Sequence, residues 1–140
     1  MNSLLNAAKR PNMSRIVLDA SAVLALLNNE PGADKLPPEL LSDATCSTVN
    51  LAEVQTKLVS AGGRPDEAWE DTLSPIREAM PFTAEHARIA GSLVAHTRAL
   101  GLSLGDRACL ALGLALKAPV YTADKSWKEL KLGVRIHVIR

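Results

Sequence analysis

One pattern narrows the possible folds more than any other: short apolar blocks alternate with longer stretches of helical spacing. Ile16-Val17-Leu18, set between Arg15 and Asp19, reads as a buried strand, and Ala20–Leu27 as the helix after it, stopped by Asn28-Asn29-Glu30-Pro31-Gly32. Ala44–Val49 is predicted as a second strand. Leu51–Ala61 is predicted as a helix with Leu51, Val54 and Leu58 on one face and Gly62-Gly63 at its end. Asp66–Met80 is expected to be helical with a break near Pro75, followed by a brief third strand at Pro81–Thr83. Ala84–Leu100 is expected as a long helix closed by Gly101, and Ser103–Lys117 as a helix apolar nearly all round. Pro119–Thr122 and Arg135–Ile139 supply a fourth and a fifth strand. Short apolar strands alternating with helices imply a parallel sheet covered on both faces, an α/β fold.

The 140 residues suffice for one domain with a core that needs no disulfide or structural metal. Ala and Leu total 43 against four aromatics (Trp69, Phe82, Tyr121, Trp127), which speaks against an all-β sandwich. Residues 1–13 read as an N-terminal extension and 14–140 as the domain; Met1 and Met13 are both possible starts. Net charge is +1, but residues 16–116 hold seven basic and 13 acidic groups, while 117–140 hold six basic and two acidic. A basic C-terminal end beside an acidic middle suits local contact with a polyanion, or simply a solvated surface. Cys46 and Cys109 lack metal or redox spacing and are expected to be buried free thiols. No signal peptide or membrane-length apolar run is visible, so a cytoplasmic location is expected.

In an open parallel sheet, ligands bind beyond the carboxyl ends of the strands. Asp19 follows the first strand and Asp124 the fourth, Glu53 opens the helix after the second, and Asp106 opens the apolar helix before the fourth. Each also has a purely structural reading. Asp19 and Asp124 can cap the helices that follow them, Asp106 can form a capping box with Ser103, and Glu53 can pair with Lys57. Four acids at one edge argue for a site. Two carboxylates about 4 Å apart repel by about 4 kcal/mol at an effective dielectric near 20, so such a cluster needs protons or a cation. An all-oxygen donor set suits Mg²⁺ or Mn²⁺.

At these residues the chain resembles the PIN-domain nucleases, and within them the VapC-type toxins of bacterial toxin–antitoxin pairs. The matching stretches are Ile16–Ala22, Glu30–Ala33, Ser47–Val54, Leu102–Leu112 and Thr122–Trp127, in order from about Ser14 to Arg140. The resemblance implies a five-stranded parallel sheet in a three-layer fold. It implies a Mg²⁺- or Mn²⁺-dependent endoribonuclease with Asp19, Glu53, Asp106 and Asp124 as catalytic and metal-holding acids, and Ser21 and Thr122 as supporting hydroxyls. It further implies a homodimer and a cognate VapB-type antitoxin. Gly105 departs from the pattern, where Ala is common.

Lys125, Lys128 and Lys131 recur every third residue beside Asp124 and, with Arg107, are candidates for contact with RNA phosphates or for a solvated face. Trp127 fits core packing or base stacking, and Trp69 a dimer face or the core. His86, His96 and His137 lack metal spacing and are read as structural or partly exposed. Two other functions are open. One is a PIN-like module that holds RNA or a partner without cutting. The other is a phosphotransferase; an aspartyl-phosphate enzyme typically carries a second Asp two residues after the first, where this chain has Ser21.

Overall fold

The computed structural model describes residues 14–140; the extension expected over 1–13, with both possible start methionines, lies outside the described residues. Five strands form one sheet: β1 (Ile16–Leu18), β2 (Ala44–Ser47), β3 (Glu78–Met80), β4 (Val120–Thr122) and β5 (Ile136–Val138). The order is β3-β2-β1-β4-β5 and every pairing is parallel. The α-helices among the described residues are α1 (Ala20–Leu27), α2 (Pro38–Leu41), α3 (Thr48–Ser60), α4 (Pro65–Leu73), α5 (Ala84–Ser92), α6 (Val94–Thr97) and α7 (Leu104–Leu116).

Strand β1 lies at the centre and is buried on both faces. Side chains of a strand alternate between faces. Ile16 and Leu18 accordingly join Ala22, Val23, Leu51 and Val54 of α1 and α3, whereas Val17 joins Cys109, Leu110 and Leu112 of α7, with Val120 and Trp127. The sheet is thus the middle of three layers. Trp127 is fully buried, so of its two readings core packing is the one realised. Trp69 is 41% exposed. Cys46 and Cys109 are buried free thiols, as expected, and burial pushes both thiols up.

Several expected boundaries move. Strand β2 ends at Ser47, not Val49, because the Ser47 hydroxyl accepts the Val49 amide at 3.2 Å and starts α3 at Thr48. The helix expected over Asp66–Met80 ends at Leu73, and the third strand is Glu78–Met80 in place of Pro81–Thr83. Pro81 has no N–H for a ladder, and Thr83 is taken up as the cap of α5, accepting the His86 amide at 3.2 Å. The long helix over Ala84–Leu100 divides into α5, α6 and a 3₁₀ turn at Arg98–Leu100. Ser92 donates back to the Arg88 carbonyl and Thr97 to that of Leu93, bonds that bend helices.

Candidate functional site

The parallel arrangement delivers the residues after β1, β2 and β4 to one edge of the sheet. Asp19, the first residue beyond β1, caps α1. Its Oδ1 accepts the Ala22 amide at 2.9 Å and the Ser21 hydroxyl at 2.7 Å, and its Oδ2 accepts the Thr122 hydroxyl at 2.8 Å. Ser21 Oγ in turn accepts the Ala123 amide, and Thr122 Oγ1 the Asp124 amide. The two hydroxyl oxygens also lie within hydrogen-bond distance of each other, at 3.3 Å. Ser21 and Thr122 between them fix both oxygens of Asp19 and link the end of β1 to β4. Three donors favour the carboxylate, yet Asp19 is only 4% exposed, and burial, with a smaller push from the Asp106 charge, raises its pKa from 3.8 to about 6.

The other aspartates are held by one oxygen each. Asp106 closes a capping box on α7: its Oδ2 accepts the Ser103 amide at 2.9 Å, and the Ser103 hydroxyl accepts the Asp106 amide at 3.2 Å. Asp124 caps a 3₁₀ helix over Lys125–Glu129, its Oδ1 accepting the amide and hydroxyl of Ser126 at 2.9 and 2.8 Å. Asp19 and Asp124 are thus helix N-caps and Asp106 the third helical residue of a capping box, and all three also line one cavity of about 220 Å³, together with Glu53, Ser21 and Lys57. Capping and site-building coincide here because the helices begin where the parallel strands end. The Glu53–Lys57 pairing is not what the fold uses: Glu53 Oε1 accepts the Asn50 side-chain amide at 2.8 Å.

Asn50 and Lys57 are site residues that sequence reading passed over. Asn50 is buried and one turn before Glu53, so a polar residue on the inner, apolar face of α3 was the available signal. Lys57 supplies the positive charge among the residues lining the cavity. A second cavity of about 390 Å³ shares Ser21, Leu24, Lys57 and Asp124 with the first and continues toward Asn28, Glu30 and Arg140.

The donors facing the 220 Å³ cavity are all oxygens, with no histidine or cysteine among them. One oxygen of Asp106 and one of Asp124 take no donor from the described residues, and Asp19 carries a costly buried charge. These features fit Mg²⁺ or Mn²⁺. Among the described residues, however, no group of three or more His, Cys, Asp or Glu side chains is drawn together tightly enough to hold a metal by itself. The arrangement matches an ion bound by few carboxylates, with water and substrate completing its shell.

Lys125 and Lys128 are exposed and three apart on the 3₁₀ helix, a spacing that puts them on one side of it. Arg107 instead reaches inward, one of its guanidinium nitrogens donating to the Ala90 carbonyl at 2.8 Å and tying α7 to α5. His86 is buried, His96 exposed and His137 intermediate, and none lines the cavity. Among the described residues no helix is long and apolar enough to cross a membrane.

Residues 16–132 match the PIN domain family. No curated protein matches the chain. Among solved structures it is similar to VapBC2 from Rickettsia felis bound to a promoter DNA fragment, with TM-score 0.68 and 21% identity over 89% of this chain and 98% of that one. It is similar to DNA-bound VapBC from Salmonella typhimurium, with TM-score 0.71 and 16% identity over 90% and 98%. It is also similar to VapC20 from Mycobacterium tuberculosis, described as a toxin that cleaves the sarcin–ricin loop, with TM-score 0.66 and 22% identity over 86% and 98%. At these identities the likeness is one of fold.

Proposed function

The chain belongs to the PIN domain family, and from that membership we propose that it is a divalent-cation-dependent endoribonuclease acting as the toxin of a toxin–antitoxin pair. The observation that carries the reading is the convergence of Asp19, Glu53, Asp106 and Asp124, drawn from separate elements, on one cavity at the carboxyl edge of the sheet. Asp19 and Asp106, with Asp124 and Glu53, would hold Mg²⁺ or Mn²⁺, which when bound supplies an activated water and charge neutralisation at the phosphodiester. Ser21 and Thr122 hold the Asp19 carboxylate in place through the reaction. Lys57, at the junction of the two cavities, offers a charge to a substrate phosphate, and Lys125 and Lys128 extend that contact beside Asp124. The similar VapBC structures support a VapB-type antitoxin as partner, and the exposed Trp69 supports a homodimer interface.

The test is cleavage of cellular RNA by the purified protein with Mg²⁺ or Mn²⁺, beside an EDTA control and Asp106→Asn. Defined cuts in the wild type alone are expected, with Asp106→Asn reduced by at least about 10²-fold, the scale of a lost electrostatic stabiliser. Because among the described residues no three carboxylates are drawn together tightly enough to hold an ion by themselves, a second reading stands: a PIN module that binds RNA without cutting it. RNA retained on the protein with no cut under either cation would select that reading.

A further inference from the structure

Glu53 is held differently from the three aspartates: it caps no helix, and its carboxylate lies against the first turn of α7. A Cβ built on the buried Gly105 would stand 2.3 Å from Glu53 Oε2, 2.5 Å from its Cδ and 2.6 Å from Oε1. The whole carboxylate therefore occupies the space a side chain at residue 105 would need, and a Cβ there would have to push the end of Glu53 aside. Glycine weakens a helix relative to alanine, and Gly105 has no left-handed φ to require it. What its bare backbone admits here is the close approach of Glu53.

Asn50 locks the arrangement. Its Nδ2 donates to Glu53 Oε1 at 2.8 Å and to the Gly105 carbonyl at 2.9 Å, so one amide ties the acid to the backbone it rests on. The other end, Oδ1, is buried without a hydrogen-bond partner. Turning the amide over would satisfy nothing, since it would aim Oδ1 at two acceptors. The side chain leaves one atom unsatisfied and keeps two bonds that both serve Glu53.

We infer that Gly105 and Asn50 form a seat that sets where Glu53 holds its carboxylate beside the acidic cavity, making both of them positioning residues for the cation site. The seat itself is independent of any ion; its consequence for a cation rests on the function proposed above.

The experiment separates the two. In the metal-free protein, the side-chain amide resonances of Asn50 report its bond to Glu53. Gly105→Ala and Glu53→Ala should each shift them, while Gly91→Ala, where a Cβ meets nothing within 4 Å, leaves them in place. Glu53→Ala adds nothing to the backbone of α7 and decides the matter if Gly105→Ala fails to fold. Unmoved resonances in Glu53→Ala, or in a folded Gly105→Ala, would overturn the seat. In a Mn²⁺ titration, Gly105→Ala and Asn50→Ala should each weaken binding by about 10–100-fold, and Gly105→Ala should add nothing in a Glu53→Gln background. Shifted resonances with unchanged Mn²⁺ affinity would overturn the positioning role. A wild-type protein that binds no Mn²⁺ would overturn both that role and the proposed function, and the resonances would still decide the seat.

Discussion

Asp19 concentrates the electrostatics of the molecule in one side chain. Burial holds its carboxyl near a pKa of 6 against 3.8 unfolded, so the folded state binds the proton more tightly. The stabilisation from that preference is fully present below about pH 4 and is lost as pH rises through about 6, a span worth about 3 kcal/mol. Thermal melts in EDTA from pH 4.5 to 8 should therefore show wild-type stability falling across this window. Asp19→Asn, which keeps an acceptor for the Ala22 cap, should flatten the fall and melt higher than wild type at pH 7.5. Parallel curves would count against a buried ionised Asp19. Adding Mg²⁺ should raise the wild-type melting point more at pH 7.5 than at pH 4.5, and should do less for Asp19→Asn. The sequence disclosed the identity of this acid through its place after a short apolar block. It did not disclose the environment, because Thr122, which fixes Oδ2, lies 103 positions away.

At the level of elements, the site is a set of helix beginnings. Ser103→Ala removes one half of the α7 capping box and should cost about 0.5–2 kcal/mol in denaturant unfolding. It should reduce RNA cleavage far less than Asp106→Asn, since the carboxylate remains; equal losses would mean that the cap, not the charge, is what matters. Where a helix starts on a hydroxyl or carboxylate after an apolar block, as at Asp19, Ser103 and Asp124, the start was legible. Third-strand placement was not. Glu78-Ala79-Met80 carries no β-branched residue, and its extended form is imposed by pairing with Thr45, Cys46 and Ser47. Asn50 was missed for a related reason. Its partners Glu53 and Gly105 belong to two helices, and only packing α3 against α7 brings them to one amide.

Across the whole molecule, charge is divided between an acidic cavity and a basic flank on the 3₁₀ helix that follows it. An RNA strand lying over that flank would release counterions at Lys125 and Lys128. The double variant Lys125→Ala/Lys128→Ala should lower the salt slope of RNA binding by about 1.4, from about 0.7 for each phosphate contact on a single strand. Binding measured across a series of salt concentrations checks this, and an unchanged slope would place the strand elsewhere. Trp127, facing inward from the same helix, should behave as core: Trp127→Ala is expected to cost about 3–5 kcal/mol of stability, read from urea melts. The central position of β1 has one more consequence, which concerns time. Its acid is completed by hydroxyls from Ser21 and Thr122, and β1 meets β4 only across a hundred residues of chain. A ribosome that has made β1, β2 and β3 has therefore made an Asp19 without its second clamp and a sheet without its fourth strand. The acidic centre comes into being late in synthesis, when β4 slots in beside β1.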